Sequence, residues 1–249
     1  MKVLRFTLRV VLVTCWILCG LLIIALTYPW IGLSGRLWTK KYWSKILLGL
    51  CGMRVTQHGD PVLHGGVLWV MNHISWLDIF FLNGVRATAF IAKSEIRRWP
   101  LLGWLVAGAG TIFIERASRH AVHKVGIAMQ AHFAREQAVG LFPEGTTSPG
   151  LDLLPFYANL FEPARKAAVQ IQPVALLYFH QGRRSDLAAF VGEQTLLESL
   201  WCVLSASGLS VEIHFLPSIL EAGAESPPPR AELGRLAREA IATVVLKHT

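Results

Sequence analysis

A histidine and an aspartate five positions apart, His73 and Asp78, lie in the segment Asn72-His73-Ile74-Ser75-Trp76-Leu77-Asp78. An imidazole can take a proton from a hydroxyl, and a carboxylate beside it fixes the tautomer and stabilises the imidazolium that forms. These are the base and orienter that acyl transfer needs. The spacing restricts how they can meet. Residues five apart on a regular helix point about 140° away from each other, so His73 must lie outside the helix for the pair to close. The sequence allows this, because residues 66–71 read as a buried strand and Ser75 is a suitable N-cap for a short helix over 76–83. His73 then falls on the turn between them and folds back toward Asp78. Ser75-Trp76-Leu77-Asp78 is also a capping-box pattern, in which Asp78 satisfies backbone donors at the helix start.

Two further segments carry polar chemistry at the ends of apolar runs. Gly110-Thr111-Ile112-Phe113-Ile114-Glu115-Arg116 closes with a planar, permanently charged guanidinium suited to a phosphate. A surface ion pair of Arg116 with Glu115 or Glu136 is the plainer use. Phe142-Pro143-Glu144-Gly145-Thr146-Thr147-Ser148 is a rigid turn. Glu144 can accept hydrogen bonds from hydroxyls, Gly145 lets backbone amides approach a ligand, and Thr146 adds a hydroxyl. A structural turn would use the same proline and glycine.

The elements that must position these residues follow from periodicity. Short apolar runs at 54–57, 67–71, 88–92, 111–114, 139–142, 171–179 and 211–215 read as strands. Helical patterns fall at 97–106, 120–135, 159–166 and 194–205. The alternation predicts an α/β fold, a mixed, largely parallel sheet flanked by helices with an N-terminal membrane-embedded helical pair. Three regions are expected: an anchor over 1–53, the α/β domain over 54–222, and a proline-rich linker with a C-terminal amphipathic helix over 223–249. Open α/β sheets bind ligands beyond the carboxyl ends of their strands, which would bring the three motifs to one crevice.

Hydrophobic residues make up 53% of the 249, charged residues only 16%, and the excess is local. Residues 10–35 carry no charge, and 10–28 form an apolar stretch long enough to span a bilayer. The stretch exceeds the apolar core of a cleaved leader and no small-residue cleavage site follows. Lys2, Arg5 and Arg9 precede it and Arg36, Lys40, Lys41 and Lys45 follow, so charge does not choose a crossing direction. Residues 36–50 read as an interfacial helix, with Trp38, Tyr42, Ile46 and Leu50 on one side and Lys40, Lys41 and Lys45 toward lipid phosphates. A two-helix anchor with both ends on the cytoplasmic face accounts for the pattern. The net charge of +8 suits an anionic membrane surface and anionic substrates. Nucleic acid is disfavoured, since no recognition motif or dense basic run is present. Cys15, Cys19, Cys51 and Cys202 show no metal-ligand spacing, and no metal site is expected.

In this order, Asn72-His73-x4-Asp78, Phe113-Ile114-x-Arg116, Phe142-Pro143-Glu144-Gly145-Thr146 and Ile171-Gln172-Pro173-Val174-Ala175 resemble the glycerolipid acyltransferase family typified by 1-acylglycerol-3-phosphate acyltransferases. The resemblance covers roughly residues 54–216. It implies transfer of a fatty acyl group from acyl-CoA or acyl carrier protein, as co-substrate, to the sn-2 hydroxyl of 1-acylglycerol-3-phosphate, giving phosphatidic acid at the cytoplasmic face of the inner membrane. It makes His73 the general base and Asp78 its partner. Arg116, with Phe113 in its block, would hold the acceptor phosphate, and Lys93 in Ile91-Ala92-Lys93-Ser94-Glu95 would add a second contact. Glu144, Gly145 and Thr146 would position the glycerol, and Pro173 belongs to a block linked to the acyl donor. The implied mechanism needs no cofactor, metal or covalent enzyme intermediate, and backbone amides near Ser75 are expected to receive the oxyanion. Trp99, Leu101, Leu102 and Trp104 would line a pocket for the acyl chain or pack in the core.

The chain departs from the family pattern where a lysine and glycine often follow the third block. It reads Pro155-Phe156-Tyr157-Ala158-Asn159-Leu160-Phe161. Another lysolipid acceptor, such as lyso-ornithine lipid, therefore stays open. A non-catalytic lipid-binding membrane protein is the alternative of a different class, and a soluble thioester hydrolase is disfavoured by the anchor.

Overall fold

A computed structural model describes residues 1–115 and 119–248. Two helices, α1 (Lys2–Leu26) and α2 (Leu33–Leu50), lead into β1 (Arg54–His58), β2 (Val67–Met71), α3 (Asp78–Val85) and β3 (Thr88–Lys93). A tight turn over Ser94–Arg98 precedes α4 (Leu102–Gly108), β4 (Ile112–Ile114), α5 (Arg119–Phe133) and β5 (Ala138–Leu141). The chain continues through α6 (Glu162–Lys166), β6 (Gln170–His180), β7 (Arg183–Arg184), α7 (Leu196–Ser205), β8 (Leu209–Phe215) and α8 (Arg230–Val245). The predicted helix over 97–106 is instead a turn and a later helix. Pro100 cannot continue the turn, and Leu101 takes the left-handed φ of 61° before α4 begins.

The described residues form an eight-stranded sheet in the order β1-β8-β6-β2-β5-β3-β4, with β7 paired to β6. β6, β2, β5, β3 and β4 run parallel, and β8 is antiparallel to β6, so the sheet is mixed and largely parallel as expected. The apolar run Val67-Leu68-Trp69-Val70-Met71 sits at its centre with every residue fully buried. Helices covering both faces of a parallel sheet explain why β2 is apolar throughout instead of alternating.

Among the described residues, α1 is the one helix long and apolar enough to cross a membrane, by length and composition only. Most of it is uncovered, with Leu8, Val11, Leu18 and Leu22 exposed. Two of the basic residues at its N-terminal end bond to the domain. Arg5 Nη1 donates to Ser205 O (2.8 Å), and Arg9 Nη1 donates to Ala206 O (2.6 Å) and Leu204 O (3.2 Å). Cations there satisfy the orphan carbonyls at the end of α7.

α2 joins α1 through Trp16 and Trp43, whose indoles each donate to the other's carbonyl at 3.1 and 3.3 Å. Gly20 admits Trp43, since a Cβ there would lie 2.6 Å from the indole nitrogen. Trp38, Tyr42 and Ile46 are exposed along one stripe of α2, whereas Leu50 is partly buried. Lys40 does not face outward as its sequence position suggests. Its ammonium end is buried and donates to Thr88 O (2.5 Å) and Ala109 O (2.6 Å), and burial pushes its pKa down to about 7.

Candidate active site

Because β2, β5 and β3 are parallel, the segments leaving them emerge at one edge of the sheet. The chain leaving β2 is fixed first by Asn72. Its side-chain amide donates to Leu176 O (3.0 Å) and accepts from Leu176 N (2.8 Å), and it is fully buried. His73 follows on the turn, and its Nδ1 lies 2.8 Å from Asp78 Oδ2. A carboxylate only accepts, so this contact places the proton on Nδ1 and leaves the Nε2 lone pair available.

Asp78 is fully buried and richly supplied with donors. Oδ2 also accepts from Ile74 N (2.7 Å) and Ser75 N (2.9 Å), and Oδ1 accepts from the Tyr178 hydroxyl (2.6 Å). The two readings of the motif are therefore both realised, with one carboxylate orienting the imidazole and satisfying the turn. The helix starts later than predicted. α3 begins at Asp78 with Leu77 at the N-cap position and no side-chain cap, so Ser75 does not cap it. The Ile74 and Ser75 amides are directed at Asp78, which removes them as the expected oxyanion donors.

The segment after β5 closes over this turn. Glu144 Oε1 accepts from His73 N (3.0 Å), Oε2 accepts from Leu154 N (3.2 Å), and Ser148 N donates to His73 O (2.8 Å). Burial pushes the Glu144 carboxyl above its usual range, opposed by the two backbone donors. Phe142 lies face to face with the His73 ring, centroids 3.9 Å apart, and Phe90 stacks behind Phe142 at 5.7 Å. Phe90 reaches that position by crossing Gly140, where a Cβ would stand 2.3 Å from its ring. Gly140 is thus a packing requirement of the histidine's support.

The other sequence-derived positions separate. Gly145 takes a left-handed φ of 70° in the turn, and Thr146 beside it is exposed. Glu144 is buried with both oxygens bonded to backbone, in place of the expected open acceptor. Lys93 is exposed at the carboxyl end of β3. Phe113 is on the adjoining β4 with the Arg97 guanidinium 5.7 Å above its ring. Arg116 lies outside the described residues. Pro173 is inside β6 opposite Val70, buried within the sheet. Trp99, Leu101 and Trp104 are exposed, so they are not core residues. Tyr178 had no assigned role in the sequence reading. A phenol within the apolar run 174–179 was its one signal.

An α/β sheet with this histidine–aspartate turn at its carboxyl edge defines a class, and the chain belongs to it: the acyltransferase family, whose model matches residues 54–177. A lyso-ornithine lipid O-acyltransferase of Pseudomonas aeruginosa is 40% identical over 176 residues, covering 70% of this chain and 66% of that one. A 1-acyl-sn-glycerol-3-phosphate acyltransferase of Neisseria gonorrhoeae is 39% identical over 156 residues, covering 63% and 61%. The alignments thus span just under two thirds of each of these two relatives. A lyso-ornithine lipid O-acyltransferase of Rhizobium meliloti is 32% identical over 224 residues, covering 80% of this chain and 75% of that one. The solved structure of a 1-acyl-sn-glycerophosphate acyltransferase from Thermotoga maritima shares the fold, with a TM-score of 0.71 at 22% identity over 99% of this chain and 97% of that one.

Proposed function

We propose that the chain transfers a fatty acyl group from a thioester, acyl-CoA or acyl carrier protein, to the hydroxyl of a lysolipid at the cytoplasmic face of a membrane. The observation that carries this reading is the 2.8 Å contact of His73 Nδ1 with a fully buried Asp78. Nε2 removes the proton of the acceptor hydroxyl as its oxygen attacks the thioester carbonyl. The tetrahedral intermediate collapses, the C–S bond breaks, and the imidazolium returns the proton to the departing thiolate. Asp78 holds the tautomer and offsets the charge on the imidazolium throughout.

The acceptor we propose is 1-acylglycerol-3-phosphate, giving phosphatidic acid. Lys93 and Arg116 supply the cationic phosphate contacts that the family resemblance implies, and Gly145 and Thr146 lie next to the turn for the glycerol part. A lyso-ornithine lipid acceptor is the second reading. It is favoured by the Pseudomonas and Rhizobium relatives and by Pro155–Phe161 in place of the family's lysine and glycine.

Acyl transfer by purified protein in liposomes, with acyl-CoA as donor and lysophosphatidic acid or lyso-ornithine lipid as acceptor, tests both. Preference for lysophosphatidic acid supports the first reading, and preference for lyso-ornithine lipid moves the protein to the second. His73→Ala should lower turnover roughly 10²–10⁴-fold while vesicle binding persists. Unchanged turnover would reject the mechanism.

A further inference from the structure

On the opposite side of the sheet lies a second cluster that the acyl-transfer reading does not use. β1 and β8 run parallel with His58 directly across from His214, and Glu212 stands two residues earlier on β8. Alternation along the strand puts Glu212 and His214 on one face. Their partners across β6 are Leu177 and Ala175, which alternate with Leu176 and Tyr178. Tyr178 bonds Asp78, so the cluster faces away from the candidate active site.

The three side chains converge. His214 Nε2 is 3.1 Å from Glu212 Oε2, and His58 Nε2 is 3.7 Å from the same oxygen. The two imidazoles stack with centroids 4.4 Å apart and planes 17° apart, so the exposed His58 ring must turn about its side-chain torsions to bring both lone pairs onto one ion. One ligand atom from each residue fits within a 4.8 Å span. In tetrahedral zinc, bonds of about 2.0–2.1 Å put ligand atoms roughly 3.3 Å apart, a separation that these distances straddle. Two imidazole nitrogens and one carboxylate oxygen form a ligand set typical of zinc, with water left to complete the shell.

We propose that His58, Glu212 and His214 bind a divalent transition-metal ion, zinc by ligand chemistry, and that the ion clamps β1 to the sheet. β1 is an edge strand with all five residues exposed, and it pairs only with β8 among the described strands. It also follows α2 directly, so the clamp fixes the strand through which the helical pair joins the domain. The ligands come from strands far apart in sequence, which is why no short ligand spacing announces them. The site is partly open, with the His58 side chain 46% exposed, and Arg184 acts electrostatically on Glu212. Both features make binding weaker than at a closed structural zinc site.

The test is titration of the tag-free, chelator-treated full chain in detergent with Zn²⁺ by calorimetry, and with Co²⁺ by visible absorption. One ion per chain is expected, with tetrahedral Co²⁺ bands and a higher thermal midpoint when Zn²⁺ is present. His58→Asn and His214→Ala should each weaken binding by about tenfold or more, and His73→Ala should leave it intact. His58→Asn alters an exposed edge residue, so folding, checked by circular dichroism, should survive. Acyl transfer should be unchanged in His58→Asn. No bound ion, or an ion bound equally well by the His58→Asn variant, overturns the proposal.

Discussion

Tyr178 shows what a single phenol contributes to a carboxylate one hundred residues away. Burial and the neighbouring Asp78 charge hold its pKa well above the ordinary tyrosine value, so the hydroxyl stays protonated and donates. Tyr178→Phe removes that donor and little volume. A hydrogen bond to a charged group contributes about 1.5–3 kcal/mol, so kcat should fall roughly 10–100-fold with KM for the acceptor little changed, measured by steady-state acyl transfer. Equal losses in both parameters would argue against a positioning role. His73 and Asp78 were legible in the sequence because their meeting is local, set by a strand end, a turn and a helix start. Tyr178 was not, because its partner is reached only when β6 pairs with β2. Glu144 was legible as a residue of the turn. Its commitment to two backbone amides depends on how the turn closes over His73, which spacing does not encode.

Elements were legible where an apolar run ended at turn residues, as at 67–71, 88–92 and 171–179. They were misjudged where helical periodicity crossed Pro100. The packing between elements supplies two further tests. Gly140→Ala puts a methyl into the Phe90 ring, which should cost about 1–3 kcal/mol and displace the Phe90–Phe142 stack that backs His73. A lowered thermal midpoint together with lower kcat is expected, and an unperturbed variant would show that the stack adapts. Lys40 gives a pH signature. Its folded pKa of about 7 lies below the ordinary 10.5, so between these values the unfolded chain binds the proton more tightly. Stability should therefore rise with pH through that window. A neutral amine has two N–H donors, matching the carbonyls of Thr88 and Ala109. Thermal midpoints across the window should rise more steeply in wild-type protein than in Lys40→Met, and parallel curves would contradict the shift.

Across the whole molecule, hydropathy foretold an apolar N-terminal helix, while the attachment of that helix to the domain came from side chains. Arg5 and Arg9 cap α7, and Trp16 and Trp43 lock α1 to α2, so the helical pair is packed onto the domain and not merely tethered by a linker. Replacing the exposed Leu18 and Leu22 together by Asp should strongly reduce co-flotation with liposomes, because carboxylates are costly in the apolar layer. Turnover of acceptor in detergent micelles should persist, and undiminished flotation would locate membrane contact elsewhere. α2 in turn lies along α3, with Trp43 against Phe80, and α3 opens with Asp78. One helix therefore separates the apolar, largely exposed α1 from the His73–Asp78 pair. On the proposed function, a catalyst held at so short a remove from its lipid meets the acceptor in two dimensions, and its rate should follow mole fraction in the surface instead of bulk concentration. Diluting the acceptor with inert phospholipid at constant bulk amount should then slow the reaction.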